Sequence, residues 1–195
     1  MWLFARALLF VLPSFVFLIP PLLASQQIER KKVLVLFGFR PTLPVASQWD
    51  RGIRSVFEAS TSPKTVINIE HLDLTYFHDD RYVQILRDLY RYKYSKPKPD
   101  LIIPVLNVAV DLMLKHGPDL FPGVPVVFGG VERRFVESRS LGPNITGYLT
   151  DIDYTGTLEL ALSLNPETRH VVIVAGAGPI GRGWKIGRAS CRERV

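Results

Sequence analysis

A glycine-rich turn, four histidines and a few closely spaced carboxylates are the groups with catalytic or binding potential in this 195-residue chain. Gly176-Ala-Gly178-Pro-Ile-Gly181 comes after a valine-rich run and has the glycine spacing of a dinucleotide-binding turn. Such a turn needs a helix starting inside it to hold the pyrophosphate, and an acidic residue about twenty positions on. Neither is visible beyond Gly181, so the glycines read as a tight strand-to-helix turn and no cofactor is expected. His71, His78, His116 and His170 fall on different elements, and His78-Asp79-Asp80 reads as a helix-start loop before it reads as a metal site. Asp151 and Asp153, two apart ahead of a helix, read as caps before they read as a catalytic pair. Neither Gly-x-Ser-x-Gly nor His-Glu-x-x-His occurs. No enzyme and no metal site is expected.

Charge narrows the partners. The stretch from Arg87 to Lys98 interleaves bases and aromatics as single-strand nucleic-acid binders do. Leu86 and Tyr90 belong to a buried helical face there, with the charges opposite, so a solvated helix end and a basic turn account for it. The whole chain carries a formal charge of +6. Setting aside its two ends removes four of the 24 basic side chains (Arg6, Arg188, Arg192, Arg194) and one of the 18 acidic ones (Glu193), leaving +3 over residues 25–185. Nothing in that balance calls for nucleic acid.

Both ends stand apart from the fold. Residues 1–24 have a basic start, an apolar run Ala7–Ile19 and the small pair Ala24-Ser25, the layout of an export signal or a retained N-terminal anchor. Pro13, Pro20 and Pro21 favour cleavage, whereas Leu22 fits the cleavage rule weakly. Either reading places the rest of the chain outside the cytoplasm, in a periplasmic or other extracytoplasmic space. Residues 186–195 resemble the in-frame translation of a sequencing adapter, and they contain the only cysteine, Cys191. Without them no disulfide, thiol or zinc cluster is available. Asn144-Ile-Thr146 matches a glycosylation sequon by pattern alone.

Between the ends, short apolar runs alternate with amphipathic ones. Strands are expected at 33–37, 65–70, 100–105, 124–128, 145–148 and 170–175, the fourth ending at Gly129-Gly130. Helices are expected at about 45–59 (Trp49, Ile53, Val56 and Phe57 on one face) and at 80–94 (Val83, Leu86, Leu89 and Tyr90 on one face). A third starts at an Asn107 cap and stops at Gly117-Pro118, and a fourth spans 154–164 behind an Asp153 cap. Strands spaced by such helices make βαβ units, hence an α/β fold with a parallel sheet.

The run Pro99-Asp-Leu-Ile-Ile-Pro-Val105, then Leu120-Phe-Pro-Gly-Val-Pro-Val-Val-Phe-Gly-Gly-Val-Glu132, resembles the ABC-transporter substrate-binding protein-like family. Asn144-Ile-Thr-Gly147, the 153–164 helix and Asn165-Pro166-Glu167 continue the likeness, which covers about Lys32 to Ala175. The resemblance implies two α/β lobes of periplasmic-binding-protein type I, closing on a small organic ligand such as an amino acid. Residues 32–148 would be the first lobe and 149–185 the start of a second, incomplete here. Apolar faces at Leu158, Leu162 and Val171–Val174 would then lack their cover. Members of this kind are either sensor regions of membrane histidine kinases or secreted solute-binding proteins of importers. The reading favours the sensor, with a membrane engaged through the N-terminal segment or a downstream region.

Ligands of open parallel sheets bind beyond the carboxyl ends of the strands. A cleft wall of Phe39, Arg40, Asn107, Gly130 and Glu132 is therefore expected. Phe39 would offer an apolar face and Arg40 a partner for a carboxylate. Asn107 would offer amide hydrogen bonds, and the glycines exposed backbone N–H groups.

Overall fold

The computed structural model describes residues 30–60 and 64–172. Five strands form one all-parallel sheet in the order β2-β1-β3-β4-β5. They are β1 (Lys31–Phe37), β2 (Thr65–His71), β3 (Leu101–Val105), β4 (Val126–Glu132) and β5 (Ile145–Thr150). Helices α1 (Pro44–Ala59), α2 (Asp80–Lys93), α3 (Asn107–Leu120), α4 (Arg133–Glu137) and α5 (Tyr154–Leu164) alternate with them.

Strand β1 reads as an unbroken apolar run because it is covered on both faces. Leu34 and Leu36, each 0% exposed, pack under α2 and α3 with Leu86, Tyr90, Ile102, Leu112 and Met113. Val33, Val35 and Phe37 face the other way, against Ala46, Trp49, Ile53 and Phe57 of α1. Burying a side chain of this size contributes roughly 1.5–3 kcal/mol, so the sheet centre is the main source of stability.

Several elements depart from the periodicity argument. Helix α3 runs through Gly117 and Pro118 to Leu120. Pro118 lacks an N–H only in the last turn, where Phe121 N–H still reaches the Gly117 carbonyl, and buried Leu120 and Phe121 hold that turn to the core. Gly117 is buried against Met113 rather than left-handed. Asn107 is not the cap of α3; Leu106 precedes the helix, without a side-chain bond. Strand β4 starts at Val126 and continues past Gly129-Gly130 to Glu132, through a bulge between Phe128 and Val131. Leu89 and Val56, which share the helical spacing of their apolar neighbours, are 46% and 69% exposed. Residues 170–172 have no regular structure, and the rest of the expected sixth strand, like Gly176–Gly181 and both chain ends, lies outside the described residues.

The cap at Asp153 is as expected from sequence, its side chain accepting from Gly156 N–H at 2.8 Å, and within the expected helix-start loop Asp79 caps α2, accepting from Tyr82 N–H at 3.0 Å. Helix α5 nonetheless buries no residue. Leu158 is half-buried, while Leu160, Leu162, Leu164, Val171 and Val172 are exposed. Among the described residues no helix is long and apolar enough to cross a membrane.

Candidate functional site

The sheet order reverses direction between β1 and β3, the place in open parallel sheets where ligands bind beyond the strand ends. At that point the chain is tightly drawn together. Gly38 N–H donates to the Val105 carbonyl at 3.2 Å, and a Cβ on Gly38 would lie 2.5 Å from Val108 Cγ2. Only glycine fits so close an approach. Three residues at this edge have left-handed backbone: Asp73 (φ 51°), Leu106 (φ 77°) and Gly130 (φ 64°).

The five expected wall residues fall into three environments. Phe39 is 1% exposed and stacks on Phe37 at 5.2 Å between ring centres, so it is a core residue with no face for a ligand. The alternation of β1 carries on past the strand end and turns its ring inward. His71 secures the same segment, donating from Nδ1 to the Phe39 carbonyl at 2.9 Å.

Arg40 is tied to the loop after β2. Its Nε donates to both oxygens of Asp73 at 2.9 and 3.0 Å, and its guanidinium lies 3.8 Å from the centre of the Tyr76 ring. The Asp73 hydrogen bond raises the Arg40 pKa above its already high ordinary value. Asp73 is itself held by its backbone, since its carbonyl accepts from the N–H groups of Tyr76 and Phe77, both at 3.0 Å. Nearby, burial and the Asp73 charge raise the Tyr82 phenol, which donates to the Leu72 carbonyl. Among the described residues nothing accepts from the two terminal nitrogens of Arg40. A guanidinium fixed through Nε and stacked on a ring keeps its fork for a planar anion.

Asn107, Gly130 and Glu132 do come together, across β3 and β4. Asn107 Oδ1 accepts from Glu132 N–H at 3.2 Å, which commits the oxygen to the fold and leaves the Nδ2 amide as donor. The Trp49 indole lies against Gly129 and Gly130 on the side where a side chain would be. A Cβ on Gly129 would be 2.7 Å from Trp49 Cη2, and one on Gly130 3.2 Å from Trp49 Cζ2. Beyond them Arg133 forks onto Asp151 with two bonds of 2.8 Å; that contact raises Arg133, lowers Asp151, and makes Asp151 an ion-pair partner rather than a cap. Burial and the Glu132 charge raise the Tyr154 phenol.

Sequence reasoning misses Asp73, Tyr76 and the contact that Trp49 makes. The strand-end rule points to β1, β3 and β4 above; extended to β2 it finds Asp73. Trp49 carries no such signal, because its meeting with Gly129 is a contact between residues far apart in the chain. Among the described residues no three His, Cys, Asp or Glu side chains gather as a metal site.

No protein-family profile matches the chain, and no curated protein matches it. Among solved structures, a conserved domain protein from Vibrio cholerae O1 biovar El Tor shares the fold, with a TM-score of 0.52 and 16% identity. The match covers 70% of this chain and 44% of that one, so the chain spans less than half of that structure. At this identity the likeness bears on the α/β fold alone.

Proposed function

We propose that the chain is an extracytoplasmic region that binds a small organic ligand at the carboxyl edge of its sheet, and that it serves a membrane sensor of the histidine-kinase type. The observation that carries this reading is the gathering of left-handed backbone at Asp73, Leu106 and Gly130 on the edge where the strand order reverses. Such conformations cost of order 1–3 kcal/mol each when the residue is not glycine, and they collect where a ligand is clamped. Support comes also from α5, whose apolar surface at Leu160, Leu162 and Leu164 asks for a second layer to cover it.

In this reading Arg40 takes the carboxylate of the ligand through its terminal nitrogens, and Tyr76 supplies the adjoining apolar surface. Asn107 Nδ2 donates to a polar group from the β3 side. A second lobe closes over the ligand, and closure is the signal, because a ligand shifts a conformational equilibrium only by binding one state better than the other.

Isothermal titration of the full chain with free amino acids and other small carboxylates tests the site. Replacing Arg40 with alanine should weaken binding about 10- to 100-fold, the worth of a charge-assisted pair, without lowering the melting temperature by more than a few degrees. Unchanged affinity would remove Arg40 from the site. Sequencing the source DNA past the Trp184 codon tests the role. A second α/β lobe followed by a membrane span and a kinase-type region fits the sensor; a stop after the second lobe makes the protein a carrier for an importer.

A further inference from the structure

The opposite edge of the sheet differs in kind. Arg30 leads into β1, whose first residues are Lys31 and Lys32. Lys31 N–H donates to the Lys64 carbonyl at 3.0 Å, and Asp100 N–H to the Lys32 carbonyl at 2.8 Å. The starts of β1, β2 and β3 therefore lie side by side, and the loop entering β3 adds Lys96 and Lys98. Six basic side chains share this edge, and Arg30, Lys64, Lys96 and Lys98 are exposed.

Little acid opposes them. Asp100 is engaged, accepting from Lys32 N–H at 2.8 Å with Lys31 Nζ 3.5 Å away. Glu58, near the end of α1, and Asp119, near the end of α3, are also returned toward this side, and Asp119 lies 3.8 Å from Arg87. The chain enters the fold through this edge. In sequence, the apolar run Ala7–Ile19 is separated from Arg30 only by residues 20–29, a tether of at most about 35 Å.

We infer that this amino edge, centred on Arg30, Lys32, Lys64, Lys96 and Lys98, is a docking surface for an anionic lipid bilayer. Juxtamembrane basic clusters are drawn to anionic headgroups, and the nearby apolar run, on the reading that it is retained as an anchor, supplies the reason for a bilayer rather than another polyanion. The orientation also fits: a sheet standing with its amino edge on the membrane turns its carboxyl edge to solvent, where a ligand reaches it. This inference is independent of the identity of the ligand and of the role of Arg40.

The test is co-sedimentation of the full chain with vesicles of phosphatidylcholine alone and with one-third phosphatidylglycerol, at low and physiological salt. Binding should be tighter to the anionic vesicles and should weaken with salt. The triple variant Lys64→Gln, Lys96→Gln, Lys98→Gln should lose on the order of a hundredfold in partitioning to anionic vesicles, about fivefold per basic residue, with no change on neutral ones. Arginine at the same three positions should restore it. The three side chains are exposed, so the variant should melt with the wild type. Equal binding to both vesicle types, or a triple variant that binds like the wild type, would overturn the inference. So would binding of heparin through these lysines with no preference for anionic vesicles.

Discussion

Gly129→Ala is the substitution that most directly probes how the carboxyl edge is built. An ideal Cβ at this buried position lies 2.7 Å from Trp49 Cη2 and 2.9 Å from Cζ3. Ordinary carbon contacts are about 3.5–4.0 Å, so the indole has to withdraw by about 1 Å. Trp49 is one of the side chains seating α1 on the sheet, with Ile53 and Phe57, and its withdrawal loosens that helix. Overpacking of this kind costs about 1–3 kcal/mol. For a chain of this size each kcal/mol lowers Tm by roughly 2–4 °C, so a fall of about 2–12 °C should appear in thermal unfolding followed by circular dichroism. The clash also names its partner. In a Trp49→Phe background the same alanine should cost much less, a coupling of more than about 0.5 kcal/mol in a double-mutant cycle. A Gly129→Ala variant that melts with the wild type, or an equal cost with and without the indole, would refute the packing argument.

Other consequences concern the core, a histidine and a cap. Leu36→Ala empties a fully buried position under α2 and α3 and should cost about 2–5 kcal/mol in urea unfolding with little change in the slope. Burial, then the charges of Arg87 and Lys115, hold His116 below its ordinary value of 6.5. The unfolded chain therefore takes up the proton first as pH falls, so this stability is full above about pH 6.5 and is lost below it. His116→Gln should flatten that part of the stability–pH curve relative to the wild type, and parallel curves would contradict the assignment. Asp153→Ala removes the cap of α5 at about 1 kcal/mol. Because α5 buries nothing, the loss should appear as faster amide exchange confined to residues 154–158 while the global melt stays put.

The sheet was readable because its signal is local. Val33–Phe37 is a run of apolar residues of strand length, and the alternation of such runs with amphipathic stretches is enough for a parallel α/β fold. Asp153, Asn165 and Pro166 mark the ends of α5 by their chemistry alone. What failed depended on contacts across the chain. Pro118 reads as a stop only when the buried Leu120 and Phe121 beyond it are ignored. Gly129-Gly130 reads as a strand end until Trp49 is seen to need the space and the bulge to carry β4 onward. Leu89 and Val56 match the apolar period of their helices, yet both are exposed. At the candidate site, the strand-end rule named Asn107 and Glu132 as wall residues, and the fold brings the two into contact. The rule misjudged Phe39, whose ring keeps to the inward alternation of β1, and it passed over Asp73, which orients Arg40.

The proposed function stands or falls with the carboxyl-edge site, and amide chemical-shift mapping reads that site residue by residue. The full chain, labelled with 15N, is titrated with a pooled set of free amino acids up to millimolar concentration, and then with the single member that shifts the spectrum. Shifts should concentrate at residues 38–40, 73–77, 106–107 and 129–132. Shifts centred elsewhere, or a spectrum that does not move at all, would refute ligand binding at this edge.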